Sequence, residues 1–306
     1  METIRRFEEL RPGIVSVATV GVFDGVHLGH QAIMRAVKAA ASARGARSAV
    51  VTFDRDPEEL VSPEGSAAYI TTLRQKLALI AEQDMDLAVV MPLERRLVDM
   101  PAEQFVSEVL CGKLSVVHVV VGTNFVFGKG RSGGVKLLRE MGQEIGFEVT
   151  AVSPVKVGGV SVSSTAIRRL ISDGKIEKAN ELLGHPYALA GRVVPGDGIG
   201  RSLGYPTANV RPVEKQVLPA RGVYAVSVRL DEMSWAGVAN LGVRPTVGSR
   251  EMSVEVYIVG FSGDIYGQEL EVAFHSRLRG EIHFPNTEAL KRQINLDVER
   301  ALQLVE

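Results

Sequence analysis

The first half of the chain alternates wholly apolar runs with segments whose apolar residues recur every three or four positions. Ile14 to Val22, Ser48 to Phe53, Leu87 to Met91 and Val116 to Val121 form the runs. Their length and β-branched content suit strands buried on both faces. Between them, Ile33, Val37 and Ala40 or Ala41 line one face of a helix starting near His30, with Gly45 as its stop. Leu73, Leu77 and Ile80 mark a second helix, and Phe105, Val106 and Val109 a third. This alternation predicts an α/β domain, a doubly wound parallel sheet with its ligand cleft at the carboxyl ends of the strands. Ser163 to Leu183 then reads as two short helices broken at Asp173-Gly174.

After Gly184-His185-Pro186 the pattern shortens to alternation. Tyr187 to Val194, Gly222 to Leu230, Ser234 to Leu241, Ser253 to Val259 and Glu269 to His275 are strand candidates separated by Gly and Pro, with no helix between them. Such a run predicts a small antiparallel β-barrel. A closing helix follows, capped by Asn286 or Thr287, with Leu290, Ile294, Val298, Ala301 and Val305 on one face. The expected domains are therefore residues 1–185, α/β, and 186–306, all-β with a terminal helix.

Composition narrows the function. At 306 residues the chain is long enough for two cores, and 45% hydrophobic with 23% charged residues is globular. A net charge of −1 gives no electrostatic reason for nucleic acid or membrane partners. One cysteine forms no internal disulfide, which fits a reducing cytoplasm. Neither a signal-peptide core nor an apolar stretch of membrane-spanning length is present in the sequence. Small-molecule partners are expected, and homo-oligomerisation stays open.

The candidate chemistry starts with Gly21-Val22-Phe23-Asp24-Gly25-Val26-His27-Leu28-Gly29-His30, between the first strand and its helix. Glycines let the backbone approach a ligand, and a helix start offers N–H groups and partial positive charge to phosphate. Two imidazoles add donors for charge developing on a leaving group. A lone histidine there is more often a cap, and zinc would need a third ligand. The G-x-x-x-x-G-K-S/T loop is absent. Asp54 ends the second strand near the cleft mouth. Gly122 to Gly128 carries Asn124 and Phe125, suited to a flat ring or to plain aromatic packing. Ser163, Ser164 and Thr165 open a helix as caps, and Arg168 one turn in makes an anion site.

In the second half, Gly198, Gly200, Arg201 and Gly204 read either as a phosphate-wrapping loop or as a glycine-rich turn. Thr207 and Asn209 alternate along an extended stretch and place two neutral oxygens on one side, suited to Mg²⁺. Glu255 is an acid within the apolar run Val254 to Ile258. It is an outward strand residue or, facing the barrel mouth, a general base for phosphoryl transfer.

Together these segments, with Asn240-Leu241-Gly242-Val243-Arg244-Pro245-Thr246 and Asp264-Ile265-Tyr266-Gly267, resemble the bifunctional bacterial riboflavin kinase/FMN adenylyltransferases over essentially the full length. The resemblance implies two ATP-dependent reactions: riboflavin to FMN in the barrel half, and FMN to FAD with release of pyrophosphate in the N-terminal half. It implies ATP contacts from Gly21, Phe23, Asp24, His27, Gly29, His30, Ser164, Thr165 and Arg168, with His27 and His30 stabilising the transition state. Asp54, Asn124 and Phe125 are implied at the flavin. In the barrel it implies Mg²⁺ on Thr207 and Asn209, phosphate at Gly198, Gly200, Arg201 and Gly204, and Glu255 as base.

Two departures stand out. The family's Thr-Phe-x-Pro-His-Pro reads here Thr52-Phe53-Asp54-Arg55-Asp56-Pro57, and its Ser-Ser-Thr-Arg-x-Arg reads Ser163-Ser164-Thr165-Ala166-Ile167-Arg168. Arg55 is the cation expected to offset Asp56 and the arginine missing at Ala166. Three rivals remain at this level. They are a nucleotidylyltransferase with another phosphorylated acceptor, a flavin carrier without turnover, and a riboflavin kinase with a decayed first half.

Overall fold

The computed structural model describes residues 1–5, 9, 15–56, 58–61, 67–196, 198–246 and 249–305. Ile14, the expected start of the first long strand, and Pro57 lie outside them. The chain divides into two compact units, Met1–Ala67 with Leu73–Ser163, and Ala68–Thr72 with Ser164–Glu306.

Among the described residues of the first unit, six strands lie in the order Glu2–Ile4, Leu87–Met91, Arg47–Phe53, Ser16–Val20, Val116–Gly122, Glu148–Val152. Every neighbouring pair is parallel. Successive residues of one strand serve opposite faces. Val17, Val50 and Val120 meet Met34, Val37 and Ala41 of the helix Leu28–Ser42, and Ile80 of the helix Leu73–Ala81. Ala18, Val51, Val119 and Val121 meet Phe105, Leu110 and Leu138 on the other side. The sheet is doubly wound, as its two-sided apolar strands require. From Ser16–Val20 the chain adds Arg47–Phe53 and Leu87–Met91 outward on one side, beyond which the earlier strand Glu2–Ile4 forms the edge, and Val116–Gly122 then starts the other side. The order reverses between Ser16–Val20 and Val116–Gly122, which is where such sheets open a ligand crevice.

Several elements escape the hydrophobic pattern. Glu2–Ile4 and Glu148–Val152 are the two sheet edges, and partial exposure removes the continuous apolar run that marks central strands. The helix Val135–Ile145 buries only Leu138 and Gly142. The expected helix around Phe105 is π-wound over Phe105–Lys113, a wider turn that carries Phe105, Val106, Val109 and Leu110 all into the core. The first helix starts at Leu28, two residues before the expected position, because His27 caps it.

In the second unit a closed antiparallel barrel runs Tyr187–Val194, Thr207–Pro212, Ser249–Ile258, Met233–Thr246, Gly222–Leu230, Glu269–Arg279 and back to the first strand. Thr207–Pro212 is a full barrel strand rather than a merely extended stretch. The helices Ser164–Ser172 and Ile176–Leu183 belong to this unit, about twenty residues ahead of the expected boundary at 185/186. They are tied in by polar bonds: Asn180 Nδ2 donates to Phe274 O at 2.8 Å, Tyr187 N donates to Asn180 Oδ1 at 2.8 Å, and Arg277 N donates to Glu177 at 3.0 Å. The segment Ala68–Thr72 also belongs here. Tyr69 N donates to Lys215 O and Val217 N to Tyr69 O, each at 2.8 Å, and Gln216 Nε2 donates to Ile70 O at 3.1 Å.

The terminal helix Thr287–Val305 is capped by Asn286, whose Oδ1 accepts from Ala289 N at 2.9 Å. Ala301, Val298 and Val305 cover Val223, Ala225 and Val238 of the barrel wall. Arg279 grips Asp297 with Nη2 at 2.8 Å and Nε at 3.0 Å from Oδ2, and Gln293 donates to the same carboxylate. Asp297 is 4% exposed, so this pair fixes the helix onto the barrel.

Candidate active sites

The first site stands at the sheet's reversal point. After Val20 the chain makes a tight turn in which Phe23 and Val26 take φ of 53° and 38°, and Gly25 takes 82°. Positive φ is costly for a β-branched residue, so the turn is strained and its neighbours must hold it. They do so through carbonyls. Val22 O accepts from Thr52 Oγ1 at 3.0 Å and from Lys76 Nζ at 3.1 Å, and Val26 O accepts from Gln31 Nε2 at 2.9 Å. Asp24 and His27 are buried in the turn.

His27 is the N-cap of the helix, and its Nδ1 accepts from His30 N at 3.3 Å. An accepting Nδ1 carries no proton, so neutral His27 holds its proton on Nε2. The two imidazoles stack at 3.6 Å between centroids and 16° between planes, and Phe23 meets the His30 edge at 5.1 Å. A Cβ on Gly29 would stand 3.1 Å from the His27 ring, and one on Gly21 would stand 3.0 Å from the Phe23 ring. Desolvation by the surrounding fold, then His27, then Lys76, holds His30 well below the usual histidine range. His30 is thus a neutral imidazole, and its buried Nδ1 has no partner among the described residues.

The other expected residues of this half divide. Asp54 is half-buried and its Oδ1 accepts from Leu93 N at 2.8 Å, bracing the ends of two strands. Asn124 is exposed beside Gly122, whereas Phe125 stacks on Phe127 at 5.3 Å and packs against the core. Arg55 is exposed and Asp56 half-buried. An open cleft of about 340 Å³ is lined by Thr123, Val135, Lys136, Arg139, Glu140, Gln143 and Ala151, and none of the expected site residues lines it. Ser164, Thr165 and Arg168 open the helix Ser164–Ser172, which belongs to the second unit.

The second site lies on the outer wall of the barrel. Val254, Val256 and Ile258 are buried at 2%, 0% and 6% exposure, so alternation turns Glu255 outward, half-buried. Asn209 and Asn240 are its direct partners on the two flanking strands, and Thr207 is opposite Tyr257. Directly paired residues share a face, so Thr207, Asn209, Glu255, Tyr257 and Asn240 form one polar row on the wall. Gly198 to Gly204 forms a helical turn, Ile199–Leu203, rather than an open loop, with Gly198 and Gly204 as left-handed caps at φ 69° and 91°. Arg201 is exposed on it. A Cβ on Gly200 would stand 3.1 Å from Thr207 Oγ1, and one on Gly196 would overlap the Asn209 amide. Tyr205 donates its hydroxyl to Asn295 of the terminal helix and meets Tyr257 edge-on at 5.5 Å. No cluster of three or more His, Cys, Asp or Glu suited to a metal occurs among the described residues.

Lys76 and Gly196 are site neighbours that the sequence reading did not single out. Lys76 carried a signal, a charge within the apolar stripe Leu73, Leu77, Ile80. Asn240 entered only as the first residue of the segment Asn240–Thr246, because its place beside Glu255 depends on strand register.

A glycine-histidine turn at a helix start on a doubly wound sheet, with a barrel that carries an acid and two oxygen donors on its wall, suits an enzyme of phosphate-group transfer. Residues 13–166 match the FAD synthetase family model and residues 183–305 the riboflavin kinase model. The bifunctional riboflavin kinase/FMN adenylyltransferase of Pseudomonas fluorescens is 41% identical over 306 residues, covering 99% of this chain and 98% of its own. That of Escherichia coli K12 is 40% identical over 282 residues, covering 92% and 90%. The chain belongs to the bifunctional riboflavin kinase/FMN adenylyltransferase family, a family of transferases in flavin nucleotide biosynthesis. A crystal structure described as a macrolide-efflux protein from Streptococcus pneumoniae matches with TM-score 0.87 at 28% identity, over 98% of each chain. No helix among the described residues is long and apolar enough to cross a membrane. Matches spanning both halves do not favour a carrier or a kinase with a decayed first half.

Proposed function

We propose that residues 1–185 transfer AMP from ATP to FMN, and that residues 186–306 phosphorylate riboflavin. The observation that carries this reading is that each unit holds one phosphate-suited constellation of its own: the stacked His27–His30 pair in one, the Thr207–Asn209–Glu255 row in the other. In the first reaction an FMN phosphate oxygen attacks the α-phosphorus of ATP, the bond to the bridging oxygen breaks, and pyrophosphate leaves. Gly21, Phe23, Asp24 and Gly29 shape the nucleotide turn. His27, protonated on Nε2, and neutral His30 donate to the triphosphate as charge moves onto pyrophosphate. Ser164, Thr165 and Arg168 are assigned to the ATP phosphates, with Arg55 offsetting Asp56. Asp54, Asn124 and Phe125 are assigned to the flavin side.

In the second reaction Glu255 takes the proton of the terminal ribityl hydroxyl, whose oxygen attacks the γ-phosphorus of ATP as ADP leaves. Gly198, Gly200, Arg201 and Gly204 border the phosphates. The Thr207 hydroxyl and Asn209 amide are hard, neutral oxygen donors on one face, and Gly196 and Gly200 press close to them, which fits Mg²⁺ shared with a nucleotide. When bound there, Mg²⁺ would neutralise charge on the transferring phosphates. Use of ATP and a single cysteine support a cytoplasmic setting with small-molecule partners.

The test is direct. Purified protein is incubated with riboflavin, ATP and Mg²⁺, and the flavins are resolved over time. FMN should rise first and FAD follow, with pyrophosphate released in step with FAD. FMN accumulation without FAD would reduce the reading to the kinase alone.

A further inference from the structure

The helix Leu73–Ala81 presents a lysine where its apolar stripe should continue, and that lysine is 6% exposed. Lys76 Nζ donates to Phe53 O at 2.8 Å and to Val22 O at 3.1 Å. Phe53 ends one central strand, and Val22 is two residues beyond the end of its neighbour. Val22 immediately precedes the turn in which Phe23 and Val26 are strained. Burying an ammonium is costly unless it is hydrogen-bonded, so this placement is itself a sign of a job done locally. We propose that Lys76 is a positioning residue for adenylyl transfer: its ammonium clamps the ends of two strands and holds the strained turn in the shape that stacks His27 on His30.

This inference rests on the assignment of His30 to the triphosphate. Among the described residues, the charged groups that act on His30 are His27 on its own turn and Lys76 on the helix Leu73–Ala81; Asp24 is buried in the same turn. Desolvation is the larger cause of the lowered His30 pKa, followed by His27 and then Lys76. Removing the lysine charge therefore moves His30 protonation to higher pH. A neutral His30 reaches the triphosphate as a donor whose proton is not shared with solvent, and a displaced turn loses that geometry. A shift of about 1 Å in such a turn costs on the order of a hundredfold in rate.

The full chain carries its own control, since riboflavin phosphorylation uses the other unit. In Lys76→Met, kcat for FAD formation from FMN should fall about tenfold to a hundredfold. Riboflavin phosphorylation should be unchanged, and the His30 imidazole, followed by NMR titration, should protonate at higher pH. Lys76→Arg, which restores charge and donors, should recover most of both. If Lys76→Met melts below the assay temperature, Lys76→Gln, which keeps an amide donor without the charge, is read in the same way. An unchanged FAD rate with an unchanged His30 titration overturns the proposal. So does a lowered rate with His30 titrating as before and no rescue by arginine, which marks a merely structural lysine. The titration needs no turnover, so it separates failure of this inference from failure of the assignment of His30 to the triphosphate.

Discussion

Adding one methyl group at Gly196 should disable riboflavin phosphorylation and leave FAD formation from supplied FMN intact. Gly196 follows the strand Tyr187–Val194, and its φ is not positive, so alanine meets no backbone strain there. The cost comes from space alone. A Cβ would lie 2.5 Å from Asn209 Cγ and 2.8 Å from Oδ1, where ordinary contact begins at 3.4 Å. Asn209 cannot retreat through its backbone, because it is paired with Val194 on one side and Glu255 on the other. Either its amide rotates or the 196–205 segment lifts. Overpacking of this kind costs about 1–3 kcal/mol, and a rotated side chain about 0.5–1.5 kcal/mol. Either relief moves an oxygen donor by about 1 Å, which corresponds to roughly a hundredfold in rate, or about 2.7 kcal/mol. Strain and catalytic loss are of similar size, so the rate effect is measurable while the barrel stays folded. The assay is riboflavin phosphorylation across a Mg²⁺ titration, with FMN adenylylation as control. Gly196→Ala should lower kcat and raise the Mg²⁺ requirement. In an Asn209→Ala background the same change should add little, because the clash partner is gone. Wild-type Mg²⁺ dependence in Gly196→Ala, or losses that simply add in the double variant, would refute the reasoning.

Glu255→Gln keeps shape and hydrogen bonding but accepts no proton, so FMN formation should fall about a hundred- to ten-thousandfold while FMN adenylylation continues; near-normal kinase turnover would return Glu255 to a surface role. His30→Ala should cut FAD formation about a hundredfold or more with FMN formation retained, and equal loss of both products in a folded variant would sink the two-site reading. Asp297→Ala leaves the Arg279 guanidinium, 16% exposed, without its carboxylate, and should destabilise by about 3–5 kcal/mol. In a unit of this size that lowers the melting temperature by about 6–20 °C, and a calorimetric shift under about 2 °C would contradict the anchoring role.

What could be read from the sequence follows from where each residue's surroundings are decided. The central strands were legible because burial on both faces forces a continuous run such as Val116 to Val121. The edge strand Glu148–Val152 was not, because its half-exposed residues obey neither the continuous nor the alternating pattern. The His27–His30 turn was legible because its parts are neighbours in sequence. Stacking, the tautomer of His27 and the neutrality of His30 required the fold, since desolvation is set by packing from elsewhere. Glu255 was legible as an anomaly, but its alignment with Asn209 and Asn240 depends on register across three strands. Composition does not reveal which unit Ser164 to Leu183 packs with. Two short helices resemble the first half, yet Asn180 and Glu177 bond them to barrel residues.

The two candidate sites meet the demands of phosphate chemistry in opposite ways. In the first unit the donors depend on a backbone held where φ is unfavourable, at a cost of about 1–3 kcal/mol for each such residue. That cost is met by bonds from Thr52, Gln31 and Lys76 to turn carbonyls, so catalysis and stability share the same atoms. On the barrel wall the interior is filled by Val254, Val256 and Ile258, while Glu255 between them is half-buried on the outer face. Glu255 and Asn209 therefore occupy positions whose side chains lie outside the barrel core. Substitutions of Glu255 thus spare the barrel core, whereas those between Val22 and His30 perturb the fold of the turn as well. At the first site, a titration of His30 is therefore a sharper test than rates alone.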